Sequence, residues 1–563
     1  MAERRKNKDS GPKHFLGAVV LEQVATFGNQ VPGHIIIDGQ QRLTTFQILL
    51  AALRDVASTL GVTRYADEVE RYILNTGIME NEDEERFKVW PSRPDQPAFS
   101  KVTTARSLKD VESDPSHGPS LLTQAYRFFH KLIHSWVVTD GGQGETEHVE
   151  ILYQVLRDDL EVVSIELEGD DDPQVIFETL NARGQPLLPS DLLRNFIFWR
   201  ATRKGENKDK LYDQYWLPFD QKFWKIEERL GRLKRPRIDI FLQHFLESQK
   251  GEEINVVRLF YEYKTWIAGT NPFESVESEL KALQRYSEIF RQLIEADSET
   301  KPYGLFFWRI KEIEVGTIFP LLLFLLTHPE GKSAEIGGML IDLESYLFRR
   351  LICGLTPKNY NRIFLQVIRE LRDTGLSREN LQQSLLKMRG DAGLWPDDRR
   401  FNERWMNRQV YAEIKPPRRL TVILRAIEDA LHAEKNEDIS IKSPLTVEHI
   451  MPQDWVKSWP LSDGAFAKDW LARMLGHENN PEADERDALK HTFGNLTLLT
   501  QPLNSAVSNA SYDVKRPEIC KQSALALNRY FQNVEVWNAE QIRFRAQKLL
   551  EVAKRIWPYP GDV

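Results

Sequence analysis

Cysteine is nearly absent from this chain: Cys353 and Cys520 are the only two in 563 residues. That excludes a disulfide framework and a cysteine-ligated zinc cluster as sources of stability, and it fits a reducing cytoplasm. Long hydrophobic runs are missing too. The longest, Ile318 to Leu326, contains Pro320 and is far too short to span a bilayer, so it reads as a buried helix. The opening residues, MAERRKNKDSGPKH, lack the apolar core of a secretory signal. No internal repeat or low-complexity tract is visible. Excess charge is small, a net -8, which does not advertise a polyanion binder. Phosphate contacts need only a local basic face, however. Three stretches qualify: Arg229 to Arg237, Arg349-Arg350 and Lys415 to Arg419. Each reads first as a solvated helix end or loop, although Arg237 precedes an apolar helix, Ile238 to Leu246, and would sit at its first turn.

What is present is the composition of a globular protein, 41% hydrophobic and 28% charged, with length for two to four domains. The expected fold class is α+β, multidomain and predominantly helical. Residues 1–205 alternate strand and helix signals. Phe15 to Leu21 and His34 to Ile37 are β-rich, Leu43 to Leu60 carries apolar residues at helical spacing, and Leu121 to Trp136 reads as a long helix. Leu160 to Leu167 reads as a strand, and Pro173 opens a helix over Gln174 to Leu180. Residues 206–430 are rich in Leu, Phe, Trp and paired charges at helical spacing and read as a helical middle domain. Residues 431–563 form the last domain and end in a helix, Ala539 to Ile556.

Two stretches carry chemistry. In the last domain, Glu448-His449 closes a short apolar strand (Leu445 to Val447), a second apolar strand carries Asn495 within Phe493-Gly494-Asn495-Leu496-Thr497-Leu498-Leu499, and Asn504 follows. Phosphodiester hydrolysis needs an activated water and a cation where charge builds on the leaving oxygen. His449 has the ordinary pKa of a base near neutral pH. Glu448 offers a hard anionic oxygen and Asn504 an amide oxygen, which suits Mg²⁺ or Mn²⁺ better than zinc. Lys515, on a predicted helix beyond Asn504, is a candidate phosphate contact. An isolated Glu-His pair is more often a strand end with a surface histidine. The order Glu-His, Gly-Asn-Leu-Thr-Leu-Leu, Asn, Lys favours a nuclease.

The second stretch is Ile35-Ile36-Ile37-Asp38-Gly39-Gln40-Gln41-Arg42-Leu43-Thr44-Thr45. A buried strand ends at Asp38, Gly39 permits a tight turn and a helix begins. Its first-turn N–H groups form a ready anion site, with Arg42 adding charge and Asp38 orienting it or holding a cation. Equally, Asp38 with Gln41 three residues on reads as a capping box that needs no ligand.

The C-terminal pattern resembles the HNH, or ββα-metal, nuclease core in the form found in GmrSD-type restriction proteins. IIIDGQQRLTTFQILL resembles those proteins' N-terminal domain, of the ParB/sulfiredoxin-like superfamily. So does Phe177-Glu178-Thr179-Leu180-Asn181-Ala182-Arg183-Gly184 with Asp191-Leu192-Leu193-Arg194-Asn195. The stretch Glu344 to Gly354, and Trp537 with Ile542 and Arg545, resemble packing helices of the same family. The likeness implies an α/β N-terminal domain that binds and hydrolyses a nucleoside triphosphate, GTP among the candidates, and senses modified DNA. Asp38, Gly39, Gln40, Gln41 and Arg42 would form one wall of its pocket, and Glu178, Asn181 and Arg183 the other. From the bare residues, Glu178 is an exposed helix position and Asn181 to Gly184 a helix C-cap. The likeness also makes Asn495 a brace for the loop carrying the base, on a surface loop, beside His449 and Lys515 in the catalytic set and Glu448 and Asn504 at the metal.

One departure stands out. Family members usually carry a Tyr-Gln-Arg-type segment before the strand equivalent to Phe15 to Leu21, where this chain has a charged tail. The resemblance therefore implies a pocket lacking part of its wall and a weak nucleotide response. The leading expectation is a metal-dependent endonuclease acting on modified foreign DNA in the cytoplasm, with no membrane partner and with homo-oligomerisation open. Two others compete: a nucleotide-switched DNA-binding protein with an incidental nuclease, and an RNA nuclease or toxin.

Overall fold

A computed structural model describes residues 1–7, 12–23, 30–112, 120–138, 144–167, 188–230, 233–298, 303–328, 333–432, 443–477 and 479–561. The chain divides into two compact units, Met1–Leu187 and Leu188–Val563. It is mostly helical with small sheets, in keeping with an α+β, multidomain chain.

In the first unit, strand β1 (His14–Gln23) lies between β2 (His34–Asp38), antiparallel to it, and β3 (Leu160–Leu167), parallel to it. The parallel pair needs a long crossover, and the helices between β2 and β3 supply it. The first, Gln40–Thr59, starts two residues after β2 ends and buries Ile48, Leu53 and Val56 with Phe99 and Tyr126. Its period of buried residues also brings Arg54 and Asp55 inside, each 1% exposed. Arg54 donates to Asp55 (2.7 Å) and to the carbonyls of Thr103 (2.7 Å) and Ala105, and Tyr126 donates to Asp55 at 2.6 Å. Burial is tolerable because both charges are paired and hydrogen-bonded. The charged tail includes a short helix, Ala2–Lys6, whose Arg5 pairs with Asp158 and Asp159.

The second unit opens with helix Pro189–Arg203. Its large core gathers helices Arg237–Lys250, Val276–Ile294, Phe319–Thr327 and Ser333–Cys353. The apolar run read as a buried helix is Phe319–Thr327. The stretch expected to be wholly helical also contains a hairpin, β4 (Glu227–Leu230) with β5 (Leu233–Pro236). Arg237 follows it at the first turn of its helix, bonded to Glu228 at 2.7 Å and lying 4.6 Å over Phe223. Arg349 and Arg350 are not phosphate contacts: both are fully buried. Arg349 holds the carbonyls of Trp557 (2.7 Å) and Pro396 (3.0 Å), and Arg350 those of Leu394 (2.6 Å) and Thr356 (2.8 Å). Arg418 and Arg419 both pair with Glu314.

Toward the C-terminus, β6 (Leu445–His449) pairs antiparallel with β7 (Leu496–Thr500), with His449 opposite Leu496. Helices Trp470–Leu475 and Pro481–Leu489 lie between the two strands in sequence, and helix Gln501–Val507 follows β7 directly. Asn495 ends a 3₁₀ turn, Phe493–Asn495, one residue before β7 rather than inside it. Helix Ala539–Ile556 packs on that turn so closely that a Cβ on Gly494 would lie 2.1 Å from the Ile542 carbonyl oxygen. Trp405 stacks on Phe493 at 3.8 Å, and buried Arg545 donates to the carbonyls of Gly494 (2.9 Å) and Leu496 (2.6 Å).

The turn cannot accept a methyl group without moving backbone. Gly494→Ala is expected to destabilise the second unit by roughly 1–3 kcal/mol. Gly337→Ala, in a helix with nothing within 4 Å of the added carbon, is expected to leave stability unchanged or raise it by about 0.5–1 kcal/mol. Urea unfolding of the two variants checks the contrast.

Candidate functional site

His449 is the last residue of β6 and is 4% exposed, so it does not sit on a surface loop as expected. Its Nε2 faces Nδ1 of His491 at 3.0 Å. Tyr411 covers both rings, edge-on to His449 at 4.3 Å and stacked over His491 at 5.7 Å, and its backbone N–H donates to the His491 carbonyl at 3.2 Å. Burial, then the neighbouring His491, Lys515 and Lys490, pushes the pKa of His449 down to about 3. Burial, then Lys490 and Lys415, pushes that of His491 down to about 4. Both rings are therefore neutral at pH 7, and the ordinary imidazole basicity expected of His449 is not what the fold gives it, because burial disfavours its protonated form. His491 lines an open cavity of about 670 Å³ together with Gln409, Trp470, Met474 and Lys490, and His449 is not part of that lining.

Asn495 is fully buried between the strands and the closing helix. Its Oδ1 accepts from the Met451 N–H (2.8 Å) and Trp537 Nε1 (3.0 Å). Its Nδ2 donates to the carbonyls of Met451 and Lys490, both at 2.8 Å. The backbone adds a further tie, Ile450 N–H to the Asn495 carbonyl at 2.9 Å. The side chain thus fastens the chain just after His449 to the chain just before His491.

Glu448 and Lys515 form a buried ion pair, and Lys515 also donates to the His449 carbonyl at 2.6 Å. Lys515 is completely buried, so the phosphate contact expected of it is not available in this arrangement: its ammonium is used inside. Burial raises the Glu448 pKa, with Lys515 opposing, and burial lowers the Lys515 pKa, with Glu448 opposing. Asn504, on helix Gln501–Val507, donates from Nδ2 to Thr446 Oγ1 at 2.8 Å. Thr446 is two residues before Glu448, so strand alternation puts Asn504 over the Glu448 face of β6. Among the described residues no three His, Cys, Asp or Glu side chains gather to hold a metal. A hard divalent cation retains water and takes one or two protein oxygens plus substrate phosphate. One carboxylate and one amide oxygen on the same strand face fit that demand, with Lys515 as the competing cation.

In the first unit, the turn Asp38 to Arg42 is held differently from the capping box. The helix Gln40–Thr59 has Gly39 as its N-cap, at φ +97°, with no side-chain cap bond. Asp38 instead accepts from Arg42 Nη2 at 2.7 Å. Gln40 donates to the Trp90 carbonyl at 3.4 Å and Gln41 is exposed. A Cβ on Gly17, at φ +104°, would lie 2.2 Å from Arg42 Nη1, and one on Gly39 would lie 2.9 Å from Val19 Cγ2. The two glycines let the turn and its arginine rest on β1. Uncapped first-turn N–H groups beside a part-exposed guanidinium suit an anionic ligand. Glu178, Asn181 and Arg183 lie outside the described residues.

The sequence reading missed His491, Tyr411 and Gly17. His491 stands three residues before Gly494 in an already informative stretch, and a glycine inside a β-rich run signals a bulge or close approach. The two depressed histidines give a pH test. Their folded pKa values lie below the ordinary one, so the stability they contribute is complete above about pH 6.5 and is lost as pH falls toward 4. Between pH 7 and pH 5 the protein is expected to lose on the order of 2 kcal/mol through these groups, a figure reduced for the half-exposed His491. In urea titrations, His449→Gln/His491→Gln should flatten the pH dependence by that amount.

Two family models match the chain. Residues 6–198 match the family described as GmrSD restriction endonuclease, N-terminal domain. Residues 395–552 match that described as GmrSD restriction endonucleases, C-terminal domain. No curated protein matches the chain. With both domains of one family found in their own order, the chain belongs to the GmrSD-type restriction endonucleases.

Proposed function

We propose that the chain is a metal-dependent endonuclease of the HNH type that cleaves modified, foreign DNA in the cytoplasm, governed by a nucleoside triphosphate at a ParB/sulfiredoxin-like N-terminal domain. The observation that carries this reading is the buried Asn495 amide, which fixes the backbone following His449 on the antiparallel β6–β7 pair with a helix directly after β7. His449 takes a proton from water, the water oxygen bonds to phosphorus, and the ester P–O bond breaks. The leaving oxygen then takes a proton from solvent. Glu448 and Asn504 would hold Mg²⁺ or Mn²⁺, whose charge offsets that on the leaving oxygen. Lys515 anchors Glu448 and the His449 carbonyl.

For the nucleotide, the support is the uncapped helix N-terminus at Gln40 to Arg42, the Asp38–Arg42 pair that aims the guanidinium, and the close seat on Gly17. GTP is one candidate.

His449→Ala should abolish cleavage of modified phage DNA in Mg²⁺ or Mn²⁺ without unfolding the chain, whereas Glu448→Ala and Asn504→Ala should raise the Mn²⁺ concentration required. Cleavage by His449→Ala at the wild-type rate would remove the base assignment. Arg42→Ala should cost about tenfold or more in nucleotide affinity, from losing one charged donor of roughly 1–3 kcal/mol. Gly17→Ala should lose a similar amount by pushing the guanidinium aside. Nucleotide titration of the two variants tests the pocket independently of cleavage.

A further inference from the structure

A ring nitrogen that already faces another ring nitrogen at hydrogen-bond distance is not available to water. Nε2 of His449 is in that position, 3.0 Å from Nδ1 of His491. If His449 is the base, as in the reading above, its working atom is Nδ1. Two neutral imidazoles at this distance share one hydrogen, and two arrangements are possible. Where His491 donates, His449 carries its own hydrogen on Nδ1 and accepts nothing more there. Where His449 donates, its Nδ1 keeps a lone pair.

We propose that His491 is a positioning residue for the nuclease reaction: its Nδ1 accepts the Nε2–H of His449 and thereby holds His449 in the tautomer whose Nδ1 takes the proton from water. The surrounding structure is built for this contact. Asn495 bonds the Lys490 carbonyl on one side and both backbone groups of Met451 on the other, so a single amide sets the two imidazole-bearing segments. Tyr411 packs across both rings and bonds the His491 backbone. His491 stands at the wall of the cavity that Gln409, Trp470 and Lys490 also line, and its Nδ1 meets the buried His449. The role is that of an orienting partner for a base, filled here by an imidazole from the turn before β7.

Three full-length proteins separate this from simple packing. The amide oxygen of Asn reaches roughly where Nδ1 of His sits and can only accept. His491→Asn should therefore recover most of the turnover lost in His491→Ala. His491→Ala should lower kcat by about tenfold or more with KM little changed, because positioning a base acts on the chemical step. His491→Leu keeps the volume, serves if the alanine variant does not stay folded, and should lose as much as His491→Ala. Ring ¹⁵N spectra of histidine-labelled wild type, with His449 identified through His449→Gln, should show it protonated at Nε2 and bare at Nδ1, and His491→Ala should mix the tautomers. Wild-type kcat in the alanine or leucine variant, or a wild-type His449 protonated at Nδ1, overturns the proposal. The spectra report the tautomer without catalysis. If His449→Ala still cleaves DNA, the base reading fails even where the His449–His491 bond is seen.

Discussion

The C-terminal architecture depends on an amide with no spare capacity. Asn495 offers two N–H donors and an oxygen with two lone pairs, and all four meet partners: the carbonyls of Met451 and Lys490, the Met451 N–H and Trp537 Nε1. A carboxylate of the same shape would turn an acceptor toward two carbonyls. An aliphatic side chain would strand several buried polar groups at roughly 1–3 kcal/mol each. The same turn is then pinned from outside, since Gly494 leaves no room between it and helix Ala539–Ile556 and Arg545 gathers its carbonyls. Each contact restricts the same few residues, and the result is a rigid platform for His449 and His491.

A second constraint acts through charge. The Glu448–Lys515 pair lies where neither partner could ionise alone without a large desolvation penalty. Lys515 uses a further donor on the His449 carbonyl, so the pair holds the end of β6 as well as itself. Glu448 is thus part of the scaffold before any cation arrives. A divalent ion proposed there would compete with an ammonium already in contact, which would leave Asn504 the less encumbered oxygen donor.

The sequence made the elements legible wherever periodicity was strong. β1, β2, β3, β6, the helix after Asp38 and the last helix fall within a few residues of their expected bounds. Local chemistry was harder to read. Asp38 with Gln41 fits a capping box, but an ion pair with Arg42 four residues on competes for the same carboxylate and wins. Lys515 was readable as a helical lysine, though nothing local shows that its helix turns it inward toward β6. His491 and Tyr411 reach His449 across some forty residues of chain, and no period or spacing encodes that meeting. It follows from how the loop after β6 and the turn before β7 are tied together.

Basic stretches in the sequence were the poorest guide, for a physical reason that recurs through the molecule. A guanidinium is a planar fork of donors, and loop ends leave backbone carbonyls that need donors. Arg54 takes two carbonyls from the end of one helix region, Arg408 takes those of Leu351 and Ile352, and Arg349, Arg350 and Arg545 do the same elsewhere. Several arginines here are internal fasteners. The arginine count therefore says little about a phosphate-binding face. A chain of net charge -8 can still meet a polyanion, because phosphate contacts need only a local basic face and not a basic chain.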